Sequence, residues 1–269
     1  MIRDITIGQY YPVDSPIHRL DPRVKLIATF LYVISIFLFG YKFAGFFVVG
    51  AFLFTVIKLS KVPFKYIVRG LKAVIILLLF TVGFNLFLTG GEPVVDHFLG
   101  FITITKEGIR YAVFMGLRLI LLIIGTSMMT FTTTPNDLTD GLERVLGPLK
   151  KIKVPVHEIA MMMSIALRFI PILLDETDKI MKAQMARGAD FETGGLLKRA
   201  KSMIPILVPL FVSAFRRAND LAMAMEARCY RGGEGRTKMK PLTYKKCDYI
   251  AYFCFLIYFG AIITVRIFA

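Results

Sequence analysis

Residues 73–88 read AVIILLLFTVGFNLFL, a run without a single charge. Nothing else limits the fold as strongly, because such a run belongs in hydrocarbon, where a helix needs roughly 20 mostly apolar residues to cross. Five spans are predicted, at about 25–41, 43–59, 71–90, 111–131 and 247–267. The first two, joined by Gly40 to Ala44, read as a hairpin. Of the 269 residues 56% are hydrophobic, mean hydropathy is +0.63 and the formal net charge is +15. Apolar and basic together point to an integral membrane protein with a cytoplasmic face. A basic balance alone would suit a nucleic-acid binder, but no groove reader carries charge-free runs of this length.

Orientation follows from the short loops. KLSKVPFKYIVRGLK carries Lys58, Lys61, Lys65, Arg69 and Lys72 with no acid, whereas GGEPVVDHFLGFITITKEGIR has three acids and two bases. The positive-inside rule puts the first in the cytoplasm and the second outside. The first residues hold no apolar stretch followed by a small-residue cleavage site. They are not a signal peptide, so the N-terminus is expected inside and the C-terminus outside. Cys229, Cys247 and Cys254 lack metal-ligand spacing and read as packing residues in a reducing compartment, Cys247 and Cys254 on one helix face.

The predicted fold class is an all-α integral membrane protein with about five transmembrane helices and a cytoplasmic or interfacial helical region. Residues 1–131 form an N-terminal membrane region of four spans, 132–246 the coupling helices, and 247–269 a C-terminal span. The middle region holds 20 Lys plus Arg against 12 Asp plus Glu. It opens with a helix capped by Thr134, with Pro135 first and Asp137 in the first turn, ended by Gly147 and Pro148. A second helix runs from near Pro155 to Gly188, and a third through LLKRAKSMIPILVPLFVSAFRRANDLAMAMEAR, stopping before Gly232, Gly233 and Gly235.

The last two helices resemble each other when one is slid by 41 residues. Each has an apolar first part bearing proline, then a charged turn (Asp175 and Glu176 against Arg216 and Arg217), then a small-residue helix ending Ala-Arg-Gly or Ala-Arg-Cys. The apolar parts read as too short to span, with Pro171, Pro205 and Pro209 kinking them. They are expected under the membrane domain or at its inner surface.

No catalytic set emerges. His18, His97 and His157 fall in separate segments, and there is no phosphate-binding Gly-x-x-x-x-Gly-Lys-Ser/Thr loop. No predicted span has an acid in its interior, and Arg118 is its one clear buried charge, so an ion-coupled carrier lacks its usual machinery. The twin arginines remain. A cation at a helix C-terminus offsets the dipole. That accounts for one Arg but not for two copies, each after Ala and before a small residue. Small flanking residues let a helix end approach another protein closely, and the guanidinium fork can pin carboxylates or carbonyls there. Two such ends would grip a two-fold or pseudo-two-fold partner.

These Ala-Arg-Gly and Ala-Arg-Cys motifs, with HRLDPRVKL, TTTPNDLTDGLERVLGPLK and ALRFIPIL, resemble the transmembrane T component of energy-coupling factor transporters over essentially the whole chain. The resemblance implies a bacterial plasma-membrane scaffold that is not itself an enzyme and holds no cofactor or metal. It joins a pair of ABC-type ATPases to a small membrane S component that binds a vitamin. In that family the two motif arginines insert into ATPase grooves. Here they fall on Ala186, Arg187 and Gly188, and on Ala227, Arg228 and Cys229. The stretches Met161 to Leu174 and Met203 to Phe215 would hold the S component, with Met161, Met162, Met163, Met203 and Phe211 as candidate contacts. Methionines make an adaptable surface, though ordinary core filling uses them as well. A conventional permease would instead line a path with polar residues, for which Asn85, Thr81, Thr126, Ser127 and Arg118 are the few candidates. An intramembrane enzyme would need paired His, Glu or Asp at membrane depth.

Overall fold

The predicted spans are helical in the computed structural model, which describes residues 10–90, 93–98, 102–191, 195, 201–233, 235, 237, 239 and 241–268. In order come α1 (Pro22–Leu38), α2 (Phe43–Ser60), α3 (Phe64–Leu88), β1 (Pro93–Phe98), β2 (Ile102–Thr105), α4 (Lys106–Thr132) and α5 (Pro135–Val145). A 3-10 segment, Gly147–Ile152, leads to α6 (Val156–Ala186), α7 (Ile204–Ala227) and α8 (Lys246–Phe268). The all-α class holds, with one addition. In the loop read as external, β1 and β2 pair antiparallel, Pro93 opposite Thr105 and Phe98 opposite Ile102.

Helix starts are written locally. Asp21 caps α1 by accepting from the Arg23 backbone N–H at 2.9 Å, with Pro22 at the first position. Thr105 caps α4 by accepting from the Gly108 N–H at 3.0 Å. Thr134 accepts from the Asp137 N–H at 3.2 Å and donates its hydroxyl to the Asp137 carboxylate at 2.7 Å, a reciprocal cap for α5.

The chain divides into two units, one of Gly8–Val145 with Leu242–Ala269, the other including Leu146–Pro241. In the first, α1, α2, α4 and α8 share a core of Tyr32, Ile36, Phe39, Val49, Phe114 and Ile262. Between spans in lipid there is little hydrophobic drive, so packing and buried polar bonds hold the helices. The Ser35 and Tyr258 hydroxyls bond at 2.6 Å, and the Tyr32 hydroxyl donates to the Leu121 carbonyl at 2.7 Å. A second cluster, Val62, Ile67, Met128 and Phe131, anchors the start of α3 to α4. Facing outward, Phe47 is 85% exposed and Ile76 78%, a surface that hydrocarbon covers and water would not.

The starts of α1 and α8 are pinned together. The buried Asp248 carboxylate accepts from the Asp21 N–H at 2.8 Å and the Lys245 N–H at 2.7 Å. Arg23 bridges Asp21 and the Leu242 carbonyl, which it reaches at 2.7 Å. α5 lies so close to α1 that a Cβ on Gly141 would meet Pro22 Cβ at 2.8 Å.

One expectation about the spans is corrected. The apolar part of the helix after Pro155 was read as too short to cross, yet α6 runs unbroken through Pro171 for 31 residues and is long and apolar enough to do so. Proline removes one hydrogen bond without ending a helix whose neighbouring turns stay bonded. Among the described residues α2, α4, α6 and α8 meet this requirement, and α3 makes a fifth if its bent halves count as one. α1 has 17 residues, about 26 Å of helix against a hydrocarbon core of roughly 30 Å.

Candidate functional site

In the second unit α6 and α7 pack side by side, and their contacts run in opposite directions. Gln184 near the end of α6 donates to the Pro205 carbonyl at the start of α7, at 3.4 Å. Midway, the Glu176 carboxylate accepts from the Ser213 hydroxyl and from Arg217 at 2.7 Å. At the start of α6 the His157 ring lies where a Cβ on Gly233, beyond the end of α7, would sit 2.2 Å away. The pair is therefore antiparallel. Glu176 and Arg217 are 41 residues apart, the offset of the sequence repeat, and they touch. Where repeat-equivalent residues meet, a pseudo-two-fold axis passes.

The two arginines end these helices in one and the same geometry. Arg187 is the C-cap of α6 with φ −88° and ψ 7°; Arg228 is that of α7 with φ −95° and ψ 16°. The next residue is left-handed in both, Gly188 at φ 86° and Cys229 at φ 57°. The Gly188 N–H donates to the Met185 carbonyl and the Ala189 N–H to the Gln184 carbonyl, both at 3.0 Å. One repeat later the Cys229 N–H donates to the Glu226 carbonyl at 2.8 Å and the Tyr230 N–H to the Met225 carbonyl at 3.0 Å. Both ends are complete Schellman motifs in identical register. The small residue after each arginine thus meets a backbone need, expected from the sequence for Gly188 as the helix stop but for Cys229 only as room for close approach.

Ala186, Arg187, Gly188, Ala227, Arg228 and Cys229 are all exposed. Among the described residues neither arginine's side chain has a hydrogen-bond or ion-pair partner. Arg187 stands eleven residues past Glu176, and Arg228 eleven past Arg217. At 1.5 Å per residue each tip projects roughly 16 Å from the central ion pair, in opposite directions.

The candidate S-component contacts separate into two patches. Met203 and Phe211 lie at the start of α7, beside the end of α6. Met161, Met162 and Met163 lie at the start of α6, the far end of the antiparallel pair. Met162, Met203 and Phe211 are each more than half exposed, while Met161 is half-buried. On α7 the exposed residues Ile204, Leu207, Val208, Phe211, Val212 and Phe215 recur at helical spacing as a continuous apolar stripe. The Ser213–Glu176–Arg217 link escaped the sequence reading, although its signal was present: the two charged turns of the repeat carry opposite signs.

The polar residues considered for a substrate path are otherwise engaged. The Thr81 and Thr126 hydroxyls donate to carbonyls of their own helices at 2.8 Å, as does the Asn85 amide. Arg118 is buried, donates to the Gly40 carbonyl at 2.6 Å and lies 5.4 Å from the ring centres of Phe37 and Tyr41. None of them, nor Ser127, lines a cavity of about 460 Å³ in the first unit, between α1, α2, α4 and α8. Its one charged lining residue, Lys25, is committed to the Thr132 carbonyl at 2.7 Å and the His18 carbonyl at 3.2 Å. Cys247 and Cys254 line it together, as their spacing predicted. Among the described residues no group of three His, Cys, Asp or Glu could hold a metal ion. His97 lies where only the backbone is described.

Fold and site define a class: a multi-span α-helical membrane protein with a duplicated, arginine-tipped helix pair. Residues 14–239 match the family CbiQ, described as cobalt transport protein. The energy-coupling factor transporter transmembrane protein EcfT of Clostridium kluyveri is 56% identical over 257 residues, covering 96% of this chain and 95% of its own length. The EcfT of Ruminiclostridium cellulolyticum is 55% identical over 248 residues, 92% of each chain. That of Bacillus subtilis is 50% identical over 252 residues, 92% of this chain and 93% of its own. The chain belongs to the EcfT family, the transmembrane component of energy-coupling factor transporters.

Proposed function

We propose that this subunit transmits ATP-driven movement from two ABC-type ATPases to an S component that binds a vitamin or other micronutrient. The observation that carries the reading is the pseudo-two-fold helix pair with identically capped, exposed and unpaired arginines at its ends. Such a pair matches a partner built of two like halves, one groove for each tip. Arginine suits the role because its planar fork keeps its charge and engages carboxylates or carbonyls in two directions. ATP binding closes the ATPase pair, the tips follow, and α6 and α7 carry the shift toward the S component. ATP hydrolysis belongs to the partners and the vitamin to the S component.

In this reading residues 1–131 and 247–269 form the membrane region and 132–246 the coupling region on the cytoplasmic side together with the N-terminus; α6, although long and apolar enough to cross, lies along the inner surface so that both arginine tips reach the same side. The exposed stripe on α7 and the methionines at the start of α6 receive the S component as two patches. The permease alternative is disfavoured by the polar residues of the spans: Thr81, Asn85 and Thr126 bond within their own helices, Arg118 is bound to the Gly40 carbonyl, and none of them lines the cavity.

Co-expression of the tagged chain with its ATPases and an S component tests this. Arg187→Ala or Arg228→Ala should leave the subunit folded and cut coupled ATPase activity and uptake, and the double variant should no longer retain the ATPases. Undiminished ATPase retention and uptake in the double variant would sink the reading. A soluble binding protein co-purifying in place of small membrane partners would point to a permease.

A further inference from the structure

α3 is hydrogen-bonded as one helix from Phe64 to Leu88, yet its first part, Phe64–Lys72, is bent by 60° from Val74–Leu88. Two helical turns thus depart from the direction of the span. On them Lys65, Arg69 and Lys72 fall within about 60° of arc at 100° per residue. Ile67, 1% exposed, points the opposite way and is anchored with Val62, Met128 and Phe131. Between these faces lie Phe64, 66% exposed, Val68, 45% exposed, and Leu71, half-buried. Lys58 in the last turn of α2, 4.9 Å from the Phe54 ring centre, and Lys61 just after that helix are two further cations before α3 in the chain.

All five cations are exposed, and among the described residues none has an ion-pair partner. Asp14, which feels Lys61, is itself bonded by Arg19, and that bond holds its carboxyl below the usual carboxylate range. A short helix lying across the end of a span, with one face fixed to the bundle, one apolar and open, and one purely basic, has the makeup of a segment that rests in a bilayer interface. Basic clusters beside a span draw anionic headgroups.

We propose that the basic elbow of α3, Lys58 to Lys72, is a binding surface for anionic phospholipid headgroups, with Phe64 and Val68 set among the acyl chains. Phosphate is the partner its chemistry fits: guanidinium and ammonium donors side by side, with hydrocarbon contact directly beneath. Through Ile67 the elbow is fixed to α4, so bound lipid holds the end of the α3–α4 pair at one depth. This surface lies outside the arginine-tipped pair and does not depend on the coupling reading.

The test uses the full chain in nanodiscs of phosphatidylethanolamine and phosphatidylglycerol in equal parts, with retained lipids counted by native mass spectrometry. The wild type should keep phosphatidylglycerol in preference, and Lys65→Gln/Arg69→Gln/Lys72→Gln should lower that preference on the order of tenfold or more. Lys65→Arg/Lys72→Arg should keep it, which separates charge from damage to the fold, and high salt should erase it in the wild type. Equal retention by the wild type and the triple glutamine variant would overturn the proposal. So would unchanged lipid with loss of a soluble protein partner, an outcome that assigns the elbow to protein.

Discussion

Cys229 holds a backbone that its repeat-mate assigns to glycine. A non-glycine residue in the left-handed region is strained by roughly 1–2 kcal/mol, and Cys229 sits there at φ 57°. Cys229→Gly should therefore stabilise the end of α7 by about 1 kcal/mol, less the entropy that glycine adds to the unfolded chain. Thermal unfolding of the purified subunit reads this as a higher Tm. Gly188→Val should lower it, since a β-branched side chain tolerates that conformation least. Much at this scale was legible in the sequence. Thr134 and Pro135 announced their helix start, because caps depend on neighbours a few residues away. That Gly188 and Cys229 serve a shared backbone geometry was not legible, because cysteine is not a residue that marks a left-handed turn.

At the scale of elements, the Glu176–Arg217 pair sets the register of α6 on α7. Glu176→Arg should splay the helices, and adding Arg217→Glu should restore them. Spin labels near the two tips report this directly, as a broadened distance distribution for the single variant and a narrow one for the exchange. A distribution unchanged in the single variant would leave the pairing without consequence. The 41-residue repeat was visible in sequence, but its direction in space was not, since repetition fixes equivalence and says nothing of parallel or antiparallel. The apolar part of α6, read as too short to span, belongs in the structure to a 31-residue helix long and apolar enough to cross. The hairpin was missed because Val94, Val95, Ile102 and Thr103 lie in a loop between spans, where the apolar-run criterion has nothing to detect.

For the whole molecule, the starts of α1 and α8 meet at Asp248, which is 1% exposed and separated from Asp21 by 227 residues. Its two oxygens each face a backbone N–H. Asp248→Asn turns one of them into a donor facing a donor, so the variant should lose about 1–3 kcal/mol of stability. Loss of Tm in detergent with unaltered membrane insertion is the expected readout, and an unchanged Tm would mean that the clasp holds nothing. The overall class was plain from the charge-free runs alone. Which polar residues would be buried was not, because Asp248 and Lys25 find their partners only when distant helices come together.

The near-symmetry of the arginine tips carries one more consequence. A partner with two equal halves could seat itself on α6 and α7 in either of two orientations, and the backbone ends, being superimposable, could not tell them apart. What differs between them removes that degeneracy: Met185 against Glu226 before each arginine, glycine against cysteine at the turn, and Ala189 against Tyr230 after it. In the proposed assembly the handedness of docking is thus decided by those few atoms, and a subunit given the same residues at both tips would lose its sense of left and right.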